Sequence, residues 1–285
     1  MRTLILIGLS AFLAAGSPPG GGYSYVVLNH SSFYSLVRIG ADGKYISTIA
    51  NGFEGHSMTK DGGGDYIVAA VSELLRITRT GSVTPIARAP SGSQWIAVLQ
   101  ERDGAFIVTD NVQHALWRVS EDGHSMVTIA HYPIPNEHER DGTSLALDMQ
   151  GNYMMLDYNH PVTRFFKITP AGAVTEVPLS KSFLGAGALL SDGPGNYLAK
   201  EGRGDAIIRI AATGEVTELV KFDPPWVNIP GMVRDPATGE IVALDNRNNR
   251  ILRIGAGGRN ITTFSSSPTY LRDPLAILVE PGEGQ

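Results

Sequence analysis

The chain has 285 residues, 42% of them hydrophobic, which is enough for a sizeable buried core. Its formal net charge is −5 and it contains no Lys/Arg cluster, so a nucleic-acid partner is not expected. The lack of cysteine excludes disulfides, thiolate metal sites and a lipid-modified N-terminal cysteine.

The first residues have the pattern of a targeting segment. Arg2 supplies a positive charge, residues 4–15 form an apolar run too short to span a bilayer comfortably, and residues 14–16 offer small side chains for cleavage. We therefore expect a signal peptide over residues 1–16, a flexible leader over 17–22 and a secreted or periplasmic protein. A retained anchor is the alternative, and no later apolar run is long enough to span a membrane.

A hairpin pattern then recurs six times along the chain. In each copy an apolar–basic–apolar run precedes a turn that contains glycine, and a second alternating run follows. Such a turn needs a residue that tolerates positive φ, which glycine does. The glycines are Gly43, Gly81, Gly123, Gly172, Gly214 and Gly258, and the basic residues are Arg38, Arg76, Arg118, Lys167, Arg209 and Arg253.

Another apolar strand precedes each hairpin. These strands begin at Tyr25, Tyr66, Phe106, Tyr153, Tyr197 and Ile241, so the repeat is a little over forty residues long. That period fits four strands, which we name A to D with A innermost, and it is typical of a β-propeller blade. We predict an all-β fold, a six-bladed β-propeller of four-stranded blades, over residues 23–280, with a short tail at 281–285.

The first blade lacks a strand A at its N-terminal end. The apolar run at residues 275–279 has no partner nearby in sequence, so we expect it to complete the first blade and remove two sheet edges. The predicted blades are residues 23–50 with 274–280, then 53–88, 93–131, 141–179, 184–221 and 228–264.

These repeats resemble the NHL and streptogramin-lyase-like group of propellers. The resemblance is best at residues 151–157, followed by 168–172 and 174–179, and it extends over nearly all of residues 23–279. It implies the six-bladed architecture but not one activity, because propellers of this group include lyases, lactonases and binding scaffolds.

A first ring of residues comes just before each strand A. Its members are Glu54, Gln94, Asp141, Gly185, Asn228 and Asp273. Carboxylates crowded near an axis repel one another unless a cation or protons intervene, and a hard cation such as Ca²⁺ accepts such oxygen ligands. The ring resembles gluconolactonase-like and phosphotriesterase-like propellers, which hold calcium at strand-A entrances. We therefore expect Glu54, Asp141, Asn228 and Asp273 to bind Ca²⁺, with Mg²⁺ second; ordinary turn residues facing water are the alternative.

His56 opens a strand A beside this ring, where it would act as a general base because the pKa of histidine lies near working pH. The resembled lyases place a histidine at such an entrance. They keep their catalytic His and Glu in later blades, however, whereas no histidine follows His160 here, which counts against the same eliminative chemistry. We expect Gln94, His30, Tyr132 and His160 to contribute to substrate binding at the same mouth, with Tyr132 in a long loop that covers it.

A second ring ends each strand B, at Asn29, Ala70, Asp110, Asp157, Glu201 and Asp245. Because the position is nearly uniform, we expect a structural role in every blade. Each acid would accept backbone N–H groups in the B–C turn or pair with the basic residue of strand C.

The chain contains no G-x-S-x-G nucleophile elbow, phosphate-binding glycine loop or H-E-x-x-H motif. The sequence therefore predicts an exported, monomeric propeller with a small-molecule site at the channel mouth. Metal-assisted lactone or ester hydrolysis, or a lyase reaction, is the expected chemistry. The alternatives are a non-catalytic module that binds a protein, peptide or glycan, and a structural scaffold of the cell envelope.

Overall fold

A computed structural model describes residues 22–30, 34–133, 142–159, 162–185, 187–202, 206–223 and 227–282. The predicted signal peptide, most of the predicted leader and the site candidates Asp141 and His160 lie outside these residues. No helix in these ranges is long and apolar enough to cross a membrane.

Within the described ranges the structure consists of strands and one short 3₁₀ turn. In chain order they are β1 (Tyr23–Asn29), β2 (Ser35–Ile39), β3 (Ile46–Asn51), β4 (Ser57–Lys60), β5 (Tyr66–Ala70), β6 (Glu73–Ile77), β7 (Val83–Arg88), β8 (Trp95–Gln100), β9 (Phe106–Asp110), β10 (Ala115–Val119), β11 (Met126–His131) and β12 (Gly142–Leu147). They continue as β13 (Tyr153–Asn159), β14 (Val162–Ile168), β15 (Val174–Val177), β16 (Leu189–Ser191), β17 (Asn196–Glu201), β18 (Ala206–Ala211), β19 (Val216–Lys221), β20 (Met232–Arg234), β21 (Ile241–Asp245), the 3₁₀ turn at Asn246–Asn248, β22 (Arg250–Ile254), β23 (Thr262–Ser266) and β24 (Pro274–Pro281).

These strands form six antiparallel sheets of four strands each, which confirms the predicted propeller. Five sheets are consecutive in sequence, and the sixth has the order β24-β1-β2-β3. The C-terminal β24 pairs with β1, with Val26 opposite Leu278 and Val27 opposite Ile277. The predicted closure of the ring by the C-terminal strand is therefore confirmed, and β4, β8, β12, β16, β20 and β24 are the inner A strands.

The hydrophobic core lies between the blades. Each of six buried clusters joins residues of two neighbouring sheets, and one of them spans the closure between the sixth and first blades. The B strands are buried on both faces, as in β5, where all five residues are buried. This explains their nearly continuous apolar sequences, since a strand with two dry faces does not alternate.

The turn between strands C and D contacts the preceding blade. Its glycine has positive φ, and a Cβ at this position would collide with a carbonyl oxygen in strand D, or directly after it, in that blade. The six pairs are Gly43 with Phe264, Gly81 with Ile49, Gly123 with Ile86, Gly172 with Ile129, Gly214 with Pro178 and Gly258 with Leu219. Glycine is thus required for two reasons, its backbone conformation and the close approach of the neighbouring blade.

The strand-C bases form ion pairs within their own blades, at the end opposite to the second ring. Each pairs with an acid at the end of strand A or in the A–B turn, as in Arg38–Glu280 at 2.7 Å and Arg209–Asp192 at 2.7 Å. In the first case Tyr66 of the next blade also donates its hydroxyl to Glu280. The idea that these bases pair with the second-ring acids is therefore wrong for Arg38 and Arg209.

Gly151 and Gly172 of the fourth blade allow the effect of positive φ to be measured separately from the effect of the interblade contact. Gly172 and Gly151 have φ of 88° and 82°, but only Gly172 faces a neighbouring carbonyl. We expect Gly151→Ala to lower the free energy of unfolding by about 1–2 kcal/mol through strain. Gly172→Ala should cost about 1–3 kcal/mol more, because the blades must move apart. Urea denaturation measures both, and equal losses would show that the interblade contact contributes nothing.

Candidate functional site

A cavity of about 730 Å³ lies at the centre of the ring. Every A strand contributes an apolar side chain to its wall, namely Met58, Val98, Leu145, Leu189, Met232 and Ile277. The polar side chains that line it include His56, Tyr158, Lys200 and Asn228. The cavity therefore combines apolar walls with a few nitrogen and oxygen groups, as small-molecule sites do.

The predicted first ring is not itself the layer that faces this cavity. The lining positions are two residues further along the chain, at His56, Ile96, Thr143, Gly187, Pro230 and Leu275. Glu54, Gln94 and Asp273 do not line the cavity, whereas Gly185 and Asn228 do. His56 is thus the titratable member of the inner layer.

The segment before β4 holds His56 in place. Phe53 is buried in the core between the first and second blades, and a Cβ at Gly55 would lie 2.5 Å from Val68 Cγ1. The backbone N–H of His56 donates to the Ala69 carbonyl at 2.9 Å. Core packing and a backbone hydrogen bond therefore fix the backbone from which the imidazole extends.

The His56 imidazole is partly buried and lacks a close hydrogen-bond partner at Nε2. This nitrogen lies 3.7 Å from Glu54 Oε1, beyond hydrogen-bond distance, and is shielded from solvent. Burial lowers the pKa of His56, while Glu54 opposes the shift and His30 adds to it. An imidazole that burial keeps neutral, at a residue on the cavity wall, is a candidate proton acceptor.

His30 and Asp273 form a pair beside His56. His30 Nδ1 lies 3.0 Å from Asp273 Oδ2, and the two imidazole centroids are 6.4 Å apart. An ionised carboxylate can only accept, so Nδ1 is the donor and the neutral imidazole carries its lone pair on Nε2. The structure therefore brings His30, Glu54, His56 and Asp273 together between the first and second blades.

Asn228 belongs to a different group, with Lys200. Lys200 Nζ donates to Asn228 Oδ1 at 2.5 Å, and Asn228 Nδ2 donates to Asn246 Oδ1 at 2.7 Å. Burial lowers the pKa of Lys200. The carbonyl oxygen that was predicted to be a calcium ligand thus accepts a hydrogen bond from an amine.

Two other predicted substrate-binding residues lie away from the cavity. Tyr132 is instead buried between the third and fourth blades, and its hydroxyl donates to the Asp110 carbonyl at 3.2 Å. The exposed Gln94 contacts Asp110 through its backbone N–H. Asp141 and His160 fall outside the residues whose structure is described.

The calcium site stays a prediction. Glu54 Oε1 and Asp273 Oδ2 lie near histidine nitrogens, and Asn228 Oδ1 accepts a hydrogen bond from Lys200. Within the described ranges no cluster of three or more His, Asp or Glu side chains could hold a metal. Asp141, the fourth predicted ligand, lies outside these ranges.

From this geometry we expect calcium, magnesium and chelator to give the same melting temperature. An ion present at 100 times its Kd would stabilise the fold by about 2.7 kcal/mol. For a chain of this size that is roughly 5–10 °C in Tm. A calcium-specific rise that disappears in both Glu54→Ala and Asp273→Ala would restore the predicted metal site.

Two acids of the second ring have the predicted structural role. Asp110 Oδ1 accepts N–H groups of Val112 and Gln113 in the B–C turn. Asp245 accepts from Arg250, and its Oδ1 caps the following 3₁₀ turn.

Asp157 departs from that pattern. Its side chain is 4% exposed, and Oδ2 has no hydrogen-bond partner. Burial raises the pKa of Asp157 to about 6, with a smaller opposing effect from Arg164. A carboxylate held in this way weakens the fold once it is ionised.

The free energy of unfolding should therefore depend on the protonation of Asp157. Because its pKa is 3.8 in the reference state and about 6 in the fold, the folded state binds the extra proton between these values and loses stability as pH rises through them. Asp157→Asn should be equal to wild type near pH 4 and more stable by up to about 3 kcal/mol near pH 8. Urea titrations at both pH values measure this, with Asp245→Asn expected to destabilise at pH 8. A constant difference for Asp157→Asn would contradict the shift.

Lys200 was missed by the sequence analysis, although the repeat contains a signal for it. The five other blades have Leu28, Ala69, Thr109, Leu156 and Leu244 at the same position of strand B. A lysine among them breaks the pattern that the core requires, and such breaks are expected at functional sites.

The comparisons with known proteins agree with the fold. A catalytically inactive variant of virginiamycin B lyase from Staphylococcus aureus, in a structure with quinupristin, is 20% identical with a TM-score of 0.60, over 86% of this chain and 78% of that chain. A streptogramin B lyase structure is 16% identical with a TM-score of 0.61, over 94% and 96%. A chain in a nidogen/laminin complex is 11% identical with a TM-score of 0.71, over 90% and 98%.

At these identities the likeness shows the fold alone. At the level of the fold, it confirms the predicted similarity to streptogramin-lyase propellers. The predicted similarity to gluconolactonase-like propellers is not among these findings. No family model matches the chain, and no curated protein gives a significant match.

Proposed function

We propose that the protein is a small-molecule enzyme whose substrate binds in the central cavity and whose proton-transfer group is His56. The reaction that we favour is lyase-type cleavage of an ester or lactone. The observation that carries this proposal is the position of His56 on the cavity wall, as an imidazole that burial keeps neutral and that lies beside the Glu54 carboxylate. The shared fold with two lyases supports the reaction class by analogy.

In the proposed step, His56 Nε2 removes a proton from a carbon of the substrate. The electron pair of that C–H bond forms a C=C bond, and the C–O bond of the ester breaks to release a carboxylate. The proton stays on His56 until solvent or the leaving group takes it. Glu54 lies 3.7 Å from the same nitrogen and stabilises the imidazolium that forms.

Hydrolysis is the other reaction open to the same base, since His56 could activate a water molecule instead of a C–H bond. The products distinguish the two reactions. Hydrolysis adds the mass of one water to the substrate, whereas elimination conserves the mass and creates a double bond.

A non-catalytic module that binds a protein, peptide or glycan is the alternative function. Its support is the shared fold with a chain of the nidogen/laminin complex. Under this alternative no ester or lactone is turned over, and the loops around the mouth carry the affinity. Export to the periplasm or the exterior is part of our proposal in both cases, and its support is the N-terminal sequence pattern.

The test is turnover of quinupristin, model lactones and aryl esters by wild type and by His56→Gln. Loss of the base should lower kcat by about 10²–10⁴-fold. His124→Gln, at an exposed histidine in a C–D turn, is the matched control and should keep full activity. Turnover unchanged in His56→Gln, or no turnover of any substrate by a folded wild type, would reject the assignment.

The pH profile gives an independent check. Activity should fall as pH drops through the lowered pKa of His56, because protonation removes the base. Glu54 raises the pKa of His56, so Glu54→Gln should move the acidic limb of kcat/KM to lower pH. A limb that does not move would show that another group titrates.

A further inference from the structure

The charge of the cavity wall is opposite to that of the chain. The protein has a formal net charge of −5, yet no aspartate or glutamate is among the described residues that line the cavity. Lys200 is the one Lys or Arg side chain among them. A low-dielectric cleft with one sign of charge concentrates ligands of the opposite sign.

Lys200 has a neutral partner instead of a carboxylate. Its ammonium donates to the amide oxygen of Asn228 at 2.5 Å, and it forms no ion pair with any described acid. The neighbouring Glu201 bonds to Lys181 instead. Removing an ammonium from water without a counter-charge is costly, so the site gains stability when an anion enters.

The space beside Lys200 is open to a ligand. Gly185 and Gly187 border its side chain, and a Cβ at Gly187 would lie 3.8 Å from Nζ. Each glycine therefore leaves the lysine without a covering side chain on that side. The A-strand side chains Met58, Val98 and Met232 supply apolar wall elsewhere in the same cavity.

We propose that Lys200 anchors a carboxylate group of the ligand in the central cavity, with the apolar body of the ligand against the A strands. This rests on the proposed small-molecule site and narrows its substrate class to carboxylate-bearing esters or lactones. The other titratable groups of the described wall are His56 and Tyr158, neither of which is a permanent cation.

The experiment uses phenylacetate and its neutral analogue phenylacetamide, which differ only in charge and polar group. Calorimetry should show that wild type binds the acid about 10- to 100-fold more tightly, since a charge-assisted bond is lost in the amide. Lys200→Met should bind both probes equally, whereas Lys200→Arg should keep the preference. Lys221→Met, at an exposed lysine, is the control for total charge.

Two further readouts separate anchoring from a structural role. The preference for phenylacetate should decline as pH rises through the lowered pKa of Lys200, because the cation is lost, and His56→Gln should retain this decline. Lys200→Met should melt at a higher temperature than wild type, because a buried cation is removed.

Equal binding of acid and amide by wild type would overturn the proposal, as would an unchanged preference in Lys200→Met. Inorganic phosphate binding more tightly than phenylacetate would overturn the carboxylate assignment. Neither probe has an ester, so this result is independent of turnover. Lysine-dependent binding without any esterase or lyase activity would retain the anchor and reject the proposed reaction.

Discussion

The contact between each C–D turn and the preceding blade is the constraint on which the ring depends. Six glycines bring backbone against backbone at a distance that no side chain permits. Neighbouring blades also share a buried hydrophobic cluster. The turn contact and the core packing together therefore fix the position of each blade relative to the next. Because the last strand completes the first sheet, every blade has two neighbours and the geometry closes on itself. The central cavity has its shape because these six interfaces are alike.

A regular ring makes departures from the repeat informative. Four of the six blades have an apolar residue just before the second-ring position of strand B, and Lys200 occupies this position in the fifth blade. The inner layer at the strand-A entrances has Ile96, Pro230 and Leu275, while the second blade has His56. Neither His56 nor Lys200 improves the packing of the core. Each therefore lowers the free energy of unfolding, and the packing of the surrounding blades offsets this loss. The chemistry of the cavity is therefore concentrated where the repeat is broken.

The sequence was sufficient for the architecture because glycine spacing and strand periodicity are local signals. The site was predicted only in part, since its residues meet through the curvature of the ring. His56 was identified from its position, but Glu54, Gln94 and Asp273 of the first ring come two residues too early to face the cavity. Tyr132 follows β11 directly, and only the packing of the next blade shows that its ring turns into the core. No sequence pattern reveals that Asn228 would accept a hydrogen bond from Lys200.

Burial acts on the two nitrogen groups of the cavity in the same direction. It lowers the pKa of His56, which favours the neutral form that accepts a proton. It also lowers the pKa of Lys200, which makes the cation sensitive to the charge of whatever occupies the cavity. A carboxylate bound at Lys200 would raise the pKa of that lysine, because an opposite charge favours the protonated form. His56 belongs to the second blade and Lys200 to the fifth, on opposite sides of a ring of six, so a ligand held by Lys200 would have to extend across the cavity to present its reacting carbon to His56.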